Sequence, residues 1–287
     1  MTTPKQPENK PRKWWLASLL SIIKPGLGQI YNGQGRKAVI FFLLPLLQIP
    51  LIYVLLEKGS ITLLLAGLAI FVVGIYLIAL IDAIVISRKH RFNYQLKRYN
   101  SLPVYLILLV ALIAGNGLLS FGIKSNLMEA FSIPSGNNIP TIMVGDLILT
   151  DKRAKARTPD NGDMIIFDWP VDPEKKFIQR VVAGPGDLVE IRDKVLLVNN
   201  EPMSEDYAVH NDPEMHSTLE LPRDNYGPER VPDNAYFVLG DNRDYSYDSR
   251  FWGYVGSSEV QGTAIGIYWS YDKDNSTGRW ERVGRKL

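Results

Sequence analysis

The chain has 287 residues, no cysteine and a formal net charge of +2. A charge this close to balance argues against nucleic acid as a partner, because nucleic-acid binding depends on concentrated basic surfaces. The lack of cysteine excludes disulfides, thiolate metal sites and a cysteine nucleophile, but it leaves the cellular compartment open.

The N-terminal residues are predicted to form a polar tail followed by a short apolar helix. Residues 1–13 are rich in Pro and Lys, which favours an unfolded cytoplasmic tail. The apolar run from Trp14 to Ile23 is about half as long as a membrane span, and Lys24 and Pro25 end it. We therefore expect an interfacial or re-entrant helix. A cleaved signal peptide is the alternative, but no small-x-small cleavage site follows the run.

Residues 25–34 read PGLGQIYNGQ, and this segment resembles a signature of small multi-spanning membrane domains. The signature is specific as a pattern but does not indicate a chemistry. Two interpretations stay open. The segment is a helper or lipid-contacting site, or it is a glycine-rich turn that packs two membrane helices closely.

Three later stretches are long enough to cross a hydrocarbon layer, which takes about 20 apolar residues. They cover residues 38–56, 61–86 and 104–123, within a predicted membrane module over residues 14–123. Basic side chains cluster before the first stretch and between the second and third, so the positive-inside rule puts both segments in the cytoplasm. An odd number of spans then leaves the C-terminal domain extracytoplasmic. We predict a multi-pass protein of the plasma (inner) membrane.

The sequence over residues 124–287 changes to short apolar runs separated by Gly, Pro, Asn and Asp, a pattern typical of antiparallel strands. The expected strands are 142–149, 164–167, 177–183, 188–191, 195–198, 236–239 and 263–269. Residues 204–234 are too irregular to assign and are expected to form a surface excursion. The predicted fold is an α-helical membrane anchor, with three transmembrane helices and an interfacial helix, followed by a mostly β domain.

Three polar motifs follow one another in this β domain. They read PSGNNIPT at residues 134–141, NGDMIIFD with FIQRVVAGPGD at 161–168 and 177–187, and GDNRDYSYDSRFWG at 240–253. The first alone could be an ordinary Pro/Gly/Asn turn. Together, after a membrane anchor, they resemble the motifs of type I signal peptidases, which are membrane serine peptidases. The corresponding family patterns are PSGSMxPT, GDxVVF with YIKRVIGLPGD, and GDNRDxSxDSRxWG.

The resemblance assigns the two catalytic positions to side-chain amides. In the family the second Ser of the first motif is the nucleophile and the Lys of the second is the general base. These positions are Asn137 and Gln179 in this chain. A Ser–Lys dyad needs a hydroxyl that attacks and a neutral amine that accepts its proton, and amides supply neither. Because losing one member of such a unit typically costs on the order of 10^6 in rate, both positions are predicted to be inert.

The other motif positions match the family. The resemblance implies oxyanion or substrate-binding roles for Ser135, Gly136 and Ser246. It implies structural roles at the site for Arg180, Asp241, Asp248 and Arg250. A turn held together by charged pairs, without any part in substrate binding, is an equally open interpretation of the third motif.

No other residues in the sequence restore a hydrolytic site convincingly. Ser135 would need a base, and Lys176 lies on the opposite face from Gln179 if that run is a strand. His210 and His216 stand in irregular sequence without a surrounding motif, and their spacing fits no zinc site. No cofactor or metal is implied.

The leading hypothesis is a catalytically inactive, signal-peptidase-like membrane protein that binds signal-peptide-like extended segments by strand addition at the outer membrane face. One alternative is an active signal peptidase I that cleaves exported preproteins. Another is a membrane-module scaffold with a vestigial peptidase domain. The expected partners are membrane lipid and signal peptides or preproteins.

Overall fold

The computed structural model describes residues 10–92, 94–217 and 221–287. The chain divides into two compact units. One covers residues up to 58 together with 62–123, and the other covers 59–61 together with 124–287. Most of the predicted cytoplasmic tail, residues 1–9, lies outside the described chain.

The secondary-structure elements described in the first unit are α-helices and one 3-10 turn. In chain order they are α1 (Trp14–Ile23), α2 (Leu27–Tyr31), α3 (Gly35–Leu43), a 3-10 turn (Leu44–Leu47), α4 (Gln48–Leu56), α5 (Ile61–Lys89) and α6 (Leu102–Asn126). The 3-10 turn contains Pro45, which has no backbone N–H to donate and so interrupts the α-helical ladder. α1 covers the residues predicted for the short N-terminal helix.

Three segments of this unit are long and apolar enough to cross a membrane, namely Gly35–Leu56, Ile61–Lys89 and Leu102–Asn126. Their apolar side chains point outward. Ile70 is 74% exposed and Leu118 is 73% exposed, as expected of surfaces whose solvent is lipid. The prediction of three transmembrane helices is confirmed, and each helix extends a few residues beyond the predicted stretch.

The PGLGQIYNGQ segment lies in the interior of the helical unit. The side chain of Gln29 is fully buried, and its Nε2 donates to the Ala79 carbonyl at 2.8 Å and to Asp82 Oδ2 at 3.1 Å. Asn32 Nδ2 donates to the Ala83 carbonyl at 2.7 Å. These bonds fix α2 against α5, since a buried amide without partners would cost free energy.

Gly28 allows α2 to approach α1 at backbone contact distance. A Cβ at this position would lie 2.1 Å from Ser21 Oγ and 2.6 Å from the Ala17 carbonyl oxygen. Any side chain would therefore force the helices apart, which is why a small residue is needed where membrane helices pack closely.

The second unit consists of two antiparallel sheets. Its strands are β1 (Met128–Ser132), β2 (Asp146–Asp151), β3 (Met164–Trp169), β4 (Asp172–Ala183), β5 (Leu188–Arg192), β6 (Val195–Val198), β7 (Glu201–Pro202), β8 (Tyr226–Arg230), β9 (Ala235–Leu239), β10 (Val255–Gly256), β11 (Val260–Asp272) and β12 (Thr277–Gly278). The larger sheet has the order β1-β2-β11-β3-β4-β9-β10, with β12 paired to β11, and the smaller has the order β7-β6-β5-β8. A short helix, α7 (Ser249–Trp252), follows β9. The predicted mostly β domain is confirmed.

The larger sheet is buried on both faces at its centre. Met164 and Ile166 of β3 pack in one apolar cluster, and Ile165 and Phe167 pack in another. This two-sided burial explains why β3 is a continuous apolar run and not an alternating one.

The strand predicted over residues 142–149 is wrong in its first half. β2 begins only at Asp146, because Gly145 has a left-handed φ of 90° and Asp146 Oδ2 accepts a hydrogen bond from the Met143 N–H at 2.8 Å. The chain therefore turns before the strand starts. The predicted excursion over residues 204–234 contains β8, which was not assigned, and residues 218–220 within it lie outside the described chain.

The close approach at Gly28 predicts that Gly28→Ala destabilises the helical unit by about 1–3 kcal/mol through overpacking. Gly74→Ala is the matched control, since no described atom lies within 4 Å of its Cβ position in α5. The control should be neutral or slightly stabilising, because Ala has the higher helix propensity. Titration of the full-length protein with dodecyl sulfate, followed by far-UV circular dichroism, measures both variants. Equal effects would show that the approach at Gly28 is not tight.

Candidate functional site

Hydrogen bonds bring the three polar motifs together around the loop between β1 and β2. The Asn242 N–H donates to the Asn137 carbonyl at 3.0 Å, and Asn242 Nδ2 donates to the Gly136 carbonyl at 3.0 Å. Asn138 Nδ2 donates to the Ile178 carbonyl on β4 at 2.8 Å. The loop is thus tied both to the third motif and to the strand that carries the second.

Residue 240 must be glycine for this arrangement. A Cβ there would lie 2.2 Å from Ser246 Oγ and 2.4 Å from the Asn137 carbonyl oxygen. The loop that holds Asn137 and the segment that holds Ser246 therefore both pack against the Cα atom of Gly240. A side chain at position 240 would separate them.

The far end of the loop is anchored by the C-terminal residues. Arg282 binds the buried Asp146 carboxylate at 2.6 Å and donates to the Thr141 carbonyl at 2.9 Å. Burial opposes ionisation of Asp146, yet the hydrogen bonds from Arg282, the Met143 N–H and Ser270 hold its pKa below the ordinary value. The loop is consequently fixed at both ends.

Gln179 occupies a fully buried position. Its Nε2 donates to the Tyr247 carbonyl at 2.9 Å, whereas its Oε1 has no hydrogen-bond partner among the described residues. Ser246 Oγ is likewise buried and unpartnered within the described chain. Burial of this kind disfavours a charged side chain, so the position suits either a neutral amine or a neutral amide.

A groove of about 230 Å³ lies between β1 and β4. Residues 131–135 form one wall, residues 176–178 form the other, and Ile148 and Ile166 line it from the neighbouring strands. Asn137 lines the groove with a half-buried side chain, and Ser135 lines it from an exposed position. Gln179 and Ser246 are not among the residues that line it.

Each wall of the groove contains a strand edge without a strand partner among the described residues, although the Ile178 carbonyl on the β4 wall accepts a hydrogen bond from Asn138. Within the described chain, β1 is the edge strand of the larger sheet and its one strand partner is β2. β4 pairs with β9 from Arg180 onward, so within the described chain residues 172–179 have a strand partner only on the β3 side. An edge of this kind can pair with an added extended segment.

Arg180 connects the second motif to the third. Its Nε and Nη2 bind the two carboxylate oxygens of Asp241 at 2.8 and 2.7 Å, and both side chains are buried. Its Nη1 donates to the Gly162 carbonyl at 2.7 Å, and its guanidinium lies 4.0 Å from the Tyr207 ring centroid. A bidentate pair with further hydrogen bonds satisfies both buried charges.

Asp248 and Arg250 form a second buried bidentate pair, with both contacts at 2.8 Å. Arg250 also donates to the carbonyls of Arg223 and Arg243 at 2.8 and 2.6 Å. Asp248 caps α7 and accepts from the Gly240 N–H at 3.2 Å. The third motif therefore packs as one hydrogen-bonded block, in which the Asp248 carboxylate holds the backbone N–H of Gly240.

The alternative general bases lie elsewhere or are already paired. Lys176 lines the groove, but its Nζ is 2.7 Å from Asp168 Oδ1. His210 Nδ1 is 3.6 Å from Asp244, and burial lowers the pKa of His210 despite that carboxylate. Neither His210 nor His216 is among the described residues that line the groove. No group of three or more His, Asp or Glu in the described chain is arranged to hold a metal ion.

Two features of the site were missed by the sequence analysis. Asn138 stands where the family pattern has Met, and comparison of that position would have drawn attention to its contact with β4. The walls of the groove come from Phe131 and from residues 176–178, which belong to strands distant in sequence. Only the pairing of the strands reveals the groove.

The described chain thus combines helices that are long and apolar enough to cross a membrane with an antiparallel β unit in which three polar motifs meet. The family described as "Signal peptidase, peptidase S26" matches residues 103–269 of this chain. The chain therefore belongs to the signal peptidase family.

Several relatives are similar over most of their length. Signal peptidase I of Leptolyngbya laminosa is 34% identical over 171 residues, which is 56% of this chain and 78% of that protein. Signal peptidase I of Pseudomonas fluorescens is 30% identical over 249 residues, 71% of this chain and 83% of that protein. A solved signal peptidase I from Enterococcus faecalis is 33% identical, covers 37% of this chain and 95% of that chain, and has a TM-score of 0.30, so the family assignment depends on the sequence matches.

The buried Asp248–Arg250 pair predicts a large loss of stability in Arg250→Ala. Removal of the cation leaves a buried carboxylate unpaired, which typically costs about 3–5 kcal/mol. Arg192→Ala is a matched control, because Arg192 also pairs with the acid two residues earlier, Glu190, but its side chain is 63% exposed. The control should cost about 1 kcal/mol or less.

Native-state hydrogen exchange of the β9 amides in the full-length protein measures both opening free energies. Similar small losses in the two variants would show that the Asp248–Arg250 pair is solvated in solution.

Proposed function

We propose that this chain is a catalytically inactive member of the signal peptidase family that binds extended, signal-peptide-like segments in the groove between β1 and β4. One observation carries the proposal. The groove, its strand edges and the motif contacts are present in this chain, while amides stand at the positions where the family pattern has the nucleophile and the base.

The lack of hydrolysis follows from the chemistry of these amides. The Asn137 side chain lines the groove. The lone pair of its amide nitrogen is delocalised into the carbonyl group, and its oxygen carries no proton to release. Gln179 is buried and cannot accept a proton at neutral pH. Ser135 offers a hydroxyl in the groove, yet the lysine that lines the groove with it is paired with Asp168. An activated nucleophile needs both the hydroxyl and a free base.

Peptide binding needs neither group. An extended segment between β1 and β4 would gain main-chain hydrogen bonds from the two free edges, and alternate side chains would enter the apolar groove. The lining of the groove is mainly apolar, so uncharged side chains fit it better than charged ones. A groove with these features suits an extended segment such as a signal-peptide cleavage region.

We further infer that the chain lies in the plasma membrane with its β unit outside the cytoplasm. The support is the distribution of basic residues. Arg36 and Lys37 lie in the first turn of the first span, Arg88 and Lys89 lie in the last turn of the second, and Arg91 follows it. The positive-inside rule keeps both groups in the cytoplasm, so the third span carries the β unit across.

Cysteine labelling on intact cells tests this orientation, and the lack of native cysteine makes the test clean. Lys273→Cys, in an exposed turn of the β unit, should react with a membrane-impermeant maleimide, and Arg98→Cys should not. Permeabilised cells should label both variants. Labelling of Arg98→Cys on intact cells would contradict the inferred orientation.

Two assays test the proposed function. The purified full-length chain with an unmodified groove should not cleave a preprotein, but it should bind an alanine-rich extended peptide. Ser135→Trp fills the groove from an exposed position and should abolish peptide binding. Ser204→Trp is the matched control, since Ser204 is exposed and does not line the groove. Fluorescence anisotropy of a labelled peptide measures the binding, and gel analysis measures cleavage.

Two results would overturn the proposal. One is steady cleavage of the preprotein by the native chain, abolished by Ser135→Ala, which would make Ser135 a nucleophile. The other is equal peptide binding by Ser135→Trp and Ser204→Trp, which would remove the groove as the binding site. The double variant Asn137→Ser/Gln179→Lys, assayed in parallel, shows whether the buried position still lowers a lysine pKa enough for catalysis.

A further inference from the structure

A cavity of about 810 Å³ lies in the helical unit at the start of α1. Four basic side chains line it, namely Arg12, Lys13, Arg88 and Arg91. Trp14 and Trp15 complete much of the wall, and no carboxylate is among the described residues that line the cavity. A cavity lined by positive charges alone attracts an anion, because no acidic side chain in its lining neutralises them.

Arg12 is the most unusual of the four cations. Its side chain is packed between the rings of Tyr31 and Tyr94, whose centroids lie 4.4 and 3.9 Å from the guanidinium carbon. The residue is only 7% exposed, and its Nε and Nη2 have no hydrogen-bond partner among the described residues. A buried cation with unused donors is costly unless an opposite charge is close by. An anion in the cavity would place an opposite charge near this guanidinium, whose Nε and Nη2 are themselves buried.

The first turn of α1 adds to the positive potential. The helix has ten residues, and its first turn contains no acidic side chain and no side-chain cap. The N-terminus of a helix carries a partial positive charge and normally attracts an acidic residue or an anion. Here the N-cap residue of α1, Lys13, lines the cavity together with the other three cations.

The surroundings favour a lipid over an anion from solution. Trp14 and Trp15 are each 51% exposed beside the cavity, and tryptophan is enriched at the membrane–water interface. Arg88 belongs to the last turn of α5, which is long and apolar enough to span a membrane. The cavity therefore lies at the end of a membrane-spanning helix, where phospholipid headgroups are found.

We propose that this cavity binds the phosphate of an anionic phospholipid headgroup. A phosphate fits the donor set, since guanidinium groups bind its oxygens with charge-assisted hydrogen bonds. The acyl chains would then extend along the apolar helices, and the Trp14 and Trp15 side chains would contact the headgroup region. The site is independent of any peptide binding by the β unit.

Calorimetric titration of the full-length chain in a neutral maltoside detergent tests the site. Short-chain phosphatidylglycerol should bind saturably, and short-chain phosphatidylcholine should bind at least about tenfold more weakly because its headgroup has no net charge. Millimolar inorganic phosphate should not displace phosphatidylglycerol. Since Arg12 is buried and Arg12→Gln risks misfolding, the main variant is Arg88→Gln/Arg91→Gln, in which both residues are exposed.

This double variant should weaken phosphatidylglycerol binding by about tenfold or more. Arg36→Gln/Arg98→Gln removes the same charge from exposed positions of the helical unit outside the cavity and should change the affinity less than about twofold. Equal losses in the two double variants, or equal affinity for phosphatidylcholine, would overturn the site. Displacement by inorganic phosphate at a similar affinity would overturn the assignment to lipid.

Discussion

Two hydrogen bonds from Asn242 to the successive carbonyls of Gly136 and Asn137 determine the geometry of the site. They can form only because Gly240 has no side chain and because the Arg180–Asp241 pair holds the residue before Asn242 in place. None of these contacts involves the Asn137 or Gln179 side chains. The geometry of the loop therefore does not depend on which side chains stand at positions 137 and 179.

The fully buried position of Gln179 suits an uncharged side chain. A buried site that keeps an amine neutral also accepts an amide, because neither carries a charge into a medium of low dielectric. The fit is incomplete, since Gln179 Oε1 and Ser246 Oγ are both buried without partners in the described chain. Each unsatisfied buried group typically costs about 1–3 kcal/mol.

Much of the fold could be predicted from the sequence because single signals determine it. Length and apolarity specify α5 and α6, and a continuous apolar run specifies β3. The missed elements depend on partners: β1 is recognisable only from its pairing with β2, and β8 only from its pairing with β5. The motifs predicted the site residues from their match to a family pattern, and hydrogen bonds bring the three motifs together around one loop. The groove could not be predicted, because its two walls come from distant strands that meet only in the folded sheet.

The charges of the two units indicate different kinds of recognition. In the β unit the buried arginines already have carboxylate partners, as in Arg180–Asp241, Arg250–Asp248 and Arg282–Asp146. These buried cations are therefore not free to attract an anion, and the groove is lined mainly by apolar side chains. In the helical unit Arg12 is buried without a carboxylate among the described residues. A net charge of +2 conceals this difference, because residues 124–287 contain 19 Lys or Arg and 27 Asp or Glu, whereas residues 1–123 contain 13 Lys or Arg and 3 Asp or Glu. Where a charge is paired matters more for recognition than how many charges the chain carries.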